Sequence, residues 1–177
     1  MEEKKYGIVY ADPPWHYEQK RLSGAAAHHY PAMPVGDICS LDVESIADED
    51  CALFLWTTFP QIPEALKVIK AWGFQYKTVA FVWLKRNKGG KGWFFGLGFW
   101  TRGNAEICLL ATRGRPKRVS AKVHQLIVSP VRSHSKKPDE TREKIVELLG
   151  DVLRIELFAR EKTDGWDAWG NEVECDA

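Results

Sequence analysis

Five runs rich in β-branched, aromatic and other apolar residues, at positions 6–11, 51–57, 76–84, 105–112 and 153–159, are each bounded by Gly, Pro or charge. That is the pattern of mostly buried strands. Between the second and third runs, positions 60–72 carry Ile62, Ala65, Leu66, Ile69 and Trp72 at helical spacing and stop at Gly73. Positions 138–149 repeat the arrangement: Pro138 suits a first turn, Asp139 and Glu140 complement the helix dipole, and Gly150 ends it. Alternating strands and helices predict an α/β sheet, a class whose ligands bind at the carboxyl ends of strands. At 177 residues the chain is expected to form one domain, residues 1–177.

At the end of the first predicted strand stand Asp12, Pro13, Pro14 and Trp15. Each proline removes a backbone donor and restricts the residue before it, so the carbonyls of Asp12 and Pro13 are expected to stay outside continuing secondary structure and to accept hydrogen bonds. An exocyclic amino group of a nucleobase offers two N–H donors. A carboxylate and a neighbouring carbonyl could receive both while Trp15 stacks on the ring. The same four residues also fit a stiff turn, and the tetrad alone does not choose between the two.

The net charge of +1 hides an uneven distribution. Acid gathers at Asp37, Asp42, Glu44, Asp48, Glu49 and Asp50, and base at Lys85, Arg86, Lys88 and Lys91, then at Arg113, Arg115, Lys117, Arg118 and Lys122. Two basic clusters flanking one aromatic stretch suit phosphate neutralisation and point to nucleic acid, although either alone reads as a solvated surface. The stretch itself, residues 85–102, contains Trp93, Phe94, Phe95, Phe99 and Trp100; it suits a loop that closes over substrate and equally a side core. Residues 16–40 also lack periodicity. The charged start, without a secretion signal, predicts a cytoplasmic protein, and no apolar run predicts a membrane span. Cys39, Cys51, Cys108 and Cys175 are scattered without metal-ligand spacing, so reduced thiols and no metal are expected.

Taken in order, the tetrad Asp12 to Trp15, the run Leu53-Phe54-Leu55-Trp56-Thr57, the segment Ser133-His134-Ser135-Lys136-Lys137-Pro138-Asp139-Glu140, then Glu156-Leu157-Phe158-Ala159-Arg160 and Gly165-Trp166-Asp167-Ala168-Trp169-Gly170-Asn171-Glu172 resemble one family. It is the adenine-N(6) methyltransferases of the seventy-kilodalton messenger-RNA methyltransferase subunit type, and the ending is similar to prokaryotic and phage members. The resemblance covers residues 6–172. It implies a Rossmann-like class I methyltransferase fold, with a mostly parallel sheet and helices on both faces, using S-adenosylmethionine. By the same resemblance, Asp12, Pro13, Pro14 and Trp15 form the catalytic loop. Asp12, Lys137, Phe158, Arg160, Asn171 and Glu172 contact the cofactor, with Lys137 on its methionine carboxylate. Trp15, Tyr30, Lys85 and Arg86 are the expected substrate contacts. Glu161-Lys162-Thr163 departs from the family's usual His-Asn after Arg160. Eukaryotic members carry extra sequence before the first strand, so part of the cofactor wall is expected from elsewhere.

The expected activity is therefore methylation of adenine's exocyclic amine in nucleic acid, with DNA favoured over RNA, by a homodimer or with a partner subunit. A catalytically silent nucleic-acid-binding subunit, an RNA adenine methyltransferase and a cytosine amino-methyltransferase are the alternatives. Retention of Asp12, Trp15, Lys137 and Asn171 argues for an active enzyme.

Overall fold

The computed structural model describes residues 4–16, 32–98, 100–133 and 136–176. In chain order the elements are β1 (Tyr6–Ala11), α1 (Val35–Cys39), α2 (Val43–Ile46), β2 (Ala47–Thr57), a 3-10 turn (Phe59–Gln61), α3 (Ile62–Ala71), β3 (Gln75–Arg86), β4 (Glu106–Arg113), β5 (Leu126–Pro130), α4 (Glu140–Leu149), β6 (Arg154–Leu157) and β7 (Asp167–Trp169). Seven strands form one sheet in the order β5-β3-β4-β2-β1-β6-β7. Only β4 runs against the rest, pairing antiparallel with β2 and β3, while β1 lies parallel between β2 and β6. The sheet is thus mostly parallel.

Successive side chains of a strand face opposite sides, so each buried strand feeds two cores. Val9, Ala11, Leu53 and Leu55 pack with Ala65, Val68, Ile69 and Trp72 of the α3 segment and with Ile38 of α1. Ile8, Tyr10, Phe54 and Trp56 pack on the other face with Ile145 of α4. Helices cover both faces. Within α3 the helical stripe differs by one position from the expected one: Val68 is buried and Leu66 is 39% exposed, because Leu66 lies on the flank of the Ala65–Ile69–Trp72 line.

Four elements were not legible as such. β5 is five residues long and ends in proline, β7 has three residues, and α1 and α2 are single turns. All are too short for a periodicity to develop. β3 also extends through Lys85 and Arg86, which the sequence places in a loop; register with β5, where Lys85 meets Ser129 and Arg86 meets Pro130, carries the strand on. Among the described residues no helix is long and apolar enough to cross a membrane.

Because β4 alone is reversed, its first residue, Glu106, comes to the edge where the other strands end. Its last, Arg113, comes to the opposite edge, where it meets Glu44. The two basic clusters are separated accordingly. Lys88 and Lys91 follow the end of β3, whereas Arg115, Lys117, Arg118 and Lys122 follow the end of β4 at the far edge of the sheet. The expectation that both flank one nucleic-acid surface is corrected by the strand direction.

Candidate active site

β1 ends where Pro13 and Pro14 can no longer donate to the ladder, and this leaves Asp12 at the carboxyl edge. The tetrad is closed locally. Trp15 N–H donates to the Pro13 carbonyl at 2.9 Å, and Met33 N–H donates to the Pro14 carbonyl at 2.9 Å. One lone pair of the Pro13 carbonyl, expected to be open, is therefore occupied by its own turn. Trp15, expected to present a stacking face, is 8% exposed, with its indole N–H donating to the Trp56 carbonyl at 3.0 Å. A buried indole needs an acceptor, and the carboxyl end of β2 supplies it. Trp56 in turn donates to the Tyr10 hydroxyl at 2.7 Å, so a buried chain of hydrogen bonds ties the tetrad to β1 and β2.

A cavity of about 240 Å3 opens at this edge and is lined by Tyr10, Asp12, Lys137, Glu156, Phe158 and Arg160, among others. Lys137 precedes α4 and reaches across to β1, where its Nζ donates to Asp12 Oδ2 at 2.9 Å. The same Nζ lies 3.1 Å from Glu106 Oε2 and 5.6 Å from the centre of the Trp56 ring. Burial disfavours the charge on Lys137, but Asp12 and Glu106 outweigh it and raise its pKa, so the ammonium persists. Burial pushes the Asp12 carboxyl above the usual range against the pull of Lys137, and Glu106 adds to the rise. Glu106 is held below the usual range, because Lys137 and Lys85 together overcome its burial.

Phe158 follows β6 with φ of 61°, a left-handed conformation that a non-glycine residue adopts at a cost of roughly 1–3 kcal/mol. This reversal turns its ring onto Trp169, with centroids 5.6 Å apart and planes at 79°, while it still lines the cavity. On the floor, Arg142 of α4 grips Glu156 with two hydrogen bonds of 2.7 and 3.0 Å. Such a fork orients the carboxylate in one plane.

Of the residues expected to meet the cofactor, Asp12, Lys137, Phe158 and Arg160 come together at the cavity. Asn171 and Glu172 are exposed in the turn after β7 and are not among the lining residues. Lys85 is 14% exposed and paired with Glu106, resting 4.9 Å from the Trp83 ring; Arg86 stacks 3.7 Å from the centre of Trp93. Tyr30 lies outside the described residues. Glu106, Tyr10, Arg142 and Glu156 were missed. Glu106 had a signal, an acid opening an otherwise apolar strand, but only the reversed strand direction reveals which edge it occupies. The stretch after β3 does not complete a side core: Trp93, Phe95, Leu97 and Trp100 are 42%, 54%, 72% and 91% exposed.

Residues 6–172 match MT-A70, nearly the whole described fold. The chain belongs to the MT-A70 family. MT-A70 proteins are S-adenosylmethionine-dependent adenine-N(6) methyltransferases, and the sheet above is their mostly parallel α/β architecture. The Type II methyltransferase M.MunI of a Mycoplasma species is 35% identical over 190 residues, spanning 96% of this chain and 78% of its own. The N(6)-adenosine-methyltransferase MT-A70-like protein of Arabidopsis thaliana is 28% identical, spanning 95% of this chain and 24% of its own. The human N(6)-adenosine-methyltransferase catalytic subunit METTL3 is 28% identical, spanning 96% and 28%. This chain thus spans about a quarter of the N(6)-adenosine-methyltransferases that it matches. Relatives at 27–29% identity in plants, an insect and vertebrates share that name, and they overturn two expectations, the prokaryotic or phage branch and the preference for DNA. The ending that suggested the branch is eight residues long, whereas the N(6)-adenosine-methyltransferases match over 95–96% of this chain.

The cavity's chemistry fits the family's cofactor. An amino-acid headgroup needs a cation and an anion side by side, and Lys137 and Arg160 stand with Asp12 and Glu156, next to the Phe158 ring for a purine.

Proposed function

We propose that this MT-A70 protein methylates the N(6) amine of adenosine in RNA. The observation that carries the reading is Asp12 at the end of β1 opening into the same cavity as Lys137, Phe158 and Arg160. RNA is favoured because adenosine, the ribonucleoside, is in the names of the relatives at 27–29% identity.

When bound, S-adenosylmethionine would supply an electrophilic sulfonium methyl group: the S–C bond breaks as the N–C bond forms, sulfur leaves as a neutral thioether, and the surplus N–H proton passes to Asp12 or to water. The chain's residues position the nucleophile. An adenine amine is a poor one, because its lone pair is delocalised into the ring. Asp12 accepts one N–H, and the second lone pair of the Pro13 carbonyl accepts the other, which turns the nitrogen toward the methyl site and stabilises charge developing on it. Lys137 and Arg160 would hold the cofactor's carboxylate in the cavity, and Phe158 would pack on its purine. Orientation of this kind lowers a barrier by roughly 7–11 kcal/mol in well-aligned cases, so no strong base is needed before the methyl moves. Single-stranded adenosines would approach along the exposed stretch after β3, where Trp93, Phe95 and Trp100 offer stacking faces and Lys88, Lys91 and Arg102 offer charge.

The test is to incubate the protein and cofactor with RNA or DNA, digest to nucleosides and weigh the methylated product. N(6)-methyladenosine from RNA is the expected product, and a product confined to DNA or to cytosine would overturn the proposal. Asp12→Asn should lower kcat by about 100-fold or more, the usual loss when a group stabilising developing charge is removed.

A further inference from the structure

Four buried or half-buried charges from four different segments alternate in sign along the carboxyl edge: Lys85 at the end of β3, Glu106 at the start of β4, Lys137 before α4 and Asp12 after β1. Lys85 meets Glu106 Oε1, Glu106 Oε2 lies 3.1 Å from Lys137 Nζ, and Lys137 Nζ lies 2.9 Å from Asp12 Oδ2. Side-chain exposures are 14% for Lys85 and Glu106, 10% for Lys137 and 24% for Asp12. The far end is clamped. Asn104 accepts from Lys85 N–H and donates to the Lys85 carbonyl, both at 2.9 Å, which joins the end of β3 to the start of β4.

We propose that Glu106 is a positioning residue for methyl transfer: it shares Lys137 with Asp12, while Lys85 balances its own charge, so that the lysine does not close off the Asp12 carboxylate. The inference rests on the reading of Asp12 as the acceptor of the substrate amine. An ammonium with spare donors beside a single carboxylate can bridge both of its oxygens. With Glu106 on a second donor of Lys137, the lysine occupies Oδ2 of Asp12, and no donor among the described residues meets Oδ1. Oδ1 is then the oxygen available to the amine. A buried ion network seldom stabilises a fold better than apolar packing would, so a chain of four charges that runs from Lys85 to the two cavity residues Lys137 and Asp12 needs a reason beyond stability.

The charged and titratable groups that act on Asp12 are Lys137, Glu106 and Cys108 of β4, Glu156 of β6, and Arg160 beyond it. Removing the charge of Glu106 takes away a negative neighbour of Asp12 and leaves Asp12 as the carboxylate within 3.1 Å of Lys137 among the contacts described above. Removing the charge of Lys85 does the reverse, since Glu106 then acts on Lys137 alone. The titrations are read together with kcat, because a neighbouring charge alone moves the titration whereas a positioning residue also moves the rate.

The experiment follows the Asp12 carboxyl by carbon NMR in cofactor-free protein labelled at aspartate, and separately the pH profile of kcat/KM, in wild type, Glu106→Gln and Lys85→Met. Glu106→Gln should shift the Asp12 titration and the acid limb of the profile to lower pH and lower kcat about tenfold; Lys85→Met should shift both to higher pH. If Glu106→Gln does not fold, the upward shift in Lys85→Met carries the test. Titrations unmoved in every folded variant would overturn the role of Glu106. An Asp12→Asn control separates the two levels: full activity there sinks the reading of Asp12 itself, whereas loss of activity there with unmoved titrations sinks only the positioning role.

Discussion

At Asp12, burial raises the carboxyl above its ordinary value near 4 while the reaction needs it ionised. Activity is therefore expected to fall as pH drops through that raised value, so the acid limb of kcat/KM lies above the ordinary aspartate range; a rate profile between pH 4 and 8 checks it. Stability follows a different sign at each carboxylate. Glu106, held low, contributes stability that is present at neutral pH and lost as pH falls through its folded value. Asp12, held high, contributes on the acid side and loses that contribution as pH rises. The tetrad was legible because Pro-Pro after an apolar run says where a strand must stop. The state of Asp12 was not, because it depends on Lys137, which is 125 positions away in the chain.

Between elements, the join of β6 to β7 decides the shape of the cavity wall. Ala159 N–H donates to the Trp169 carbonyl at 3.0 Å, and a side chain at Gly170 would run into the Ala159 backbone. Gly170→Ala should therefore destabilise the protein by about 1–3 kcal/mol through overpacking, read as a lowered denaturant midpoint, and should weaken cofactor binding by displacing Phe158. On the other side of the site, Trp56 is fully buried and donates to the Tyr10 hydroxyl. Trp56→Phe should cost about 1–3 kcal/mol by leaving that hydroxyl unpaired, measurable by chemical unfolding. The long strands and the two ten-residue helices were legible from spacing. β7 was not, since three residues carry no period and its existence depends on pairing with β6.

Across the whole molecule, the reversed β4 sends one basic cluster to the cavity edge and the other to the far edge. Reversing charge at Lys88 and Lys91 should weaken RNA binding and reduce its salt dependence, by about one unit of slope for each phosphate left without its cation, whereas the same change at Arg115 and Lys117 should leave both unchanged; binding titrations at several salt concentrations decide it. Residue order alone carried the strand–helix alternation, the stop after β1 and the ordered set of motifs, because steric limits on proline and the burial of apolar side chains act along the chain. Folding in three dimensions decided which charges share the cavity, that Trp15 is buried, and that Glu106 joins Lys137. Those facts depend on strand order and direction, which are set by long-range pairing and packing and not by any local run of residues.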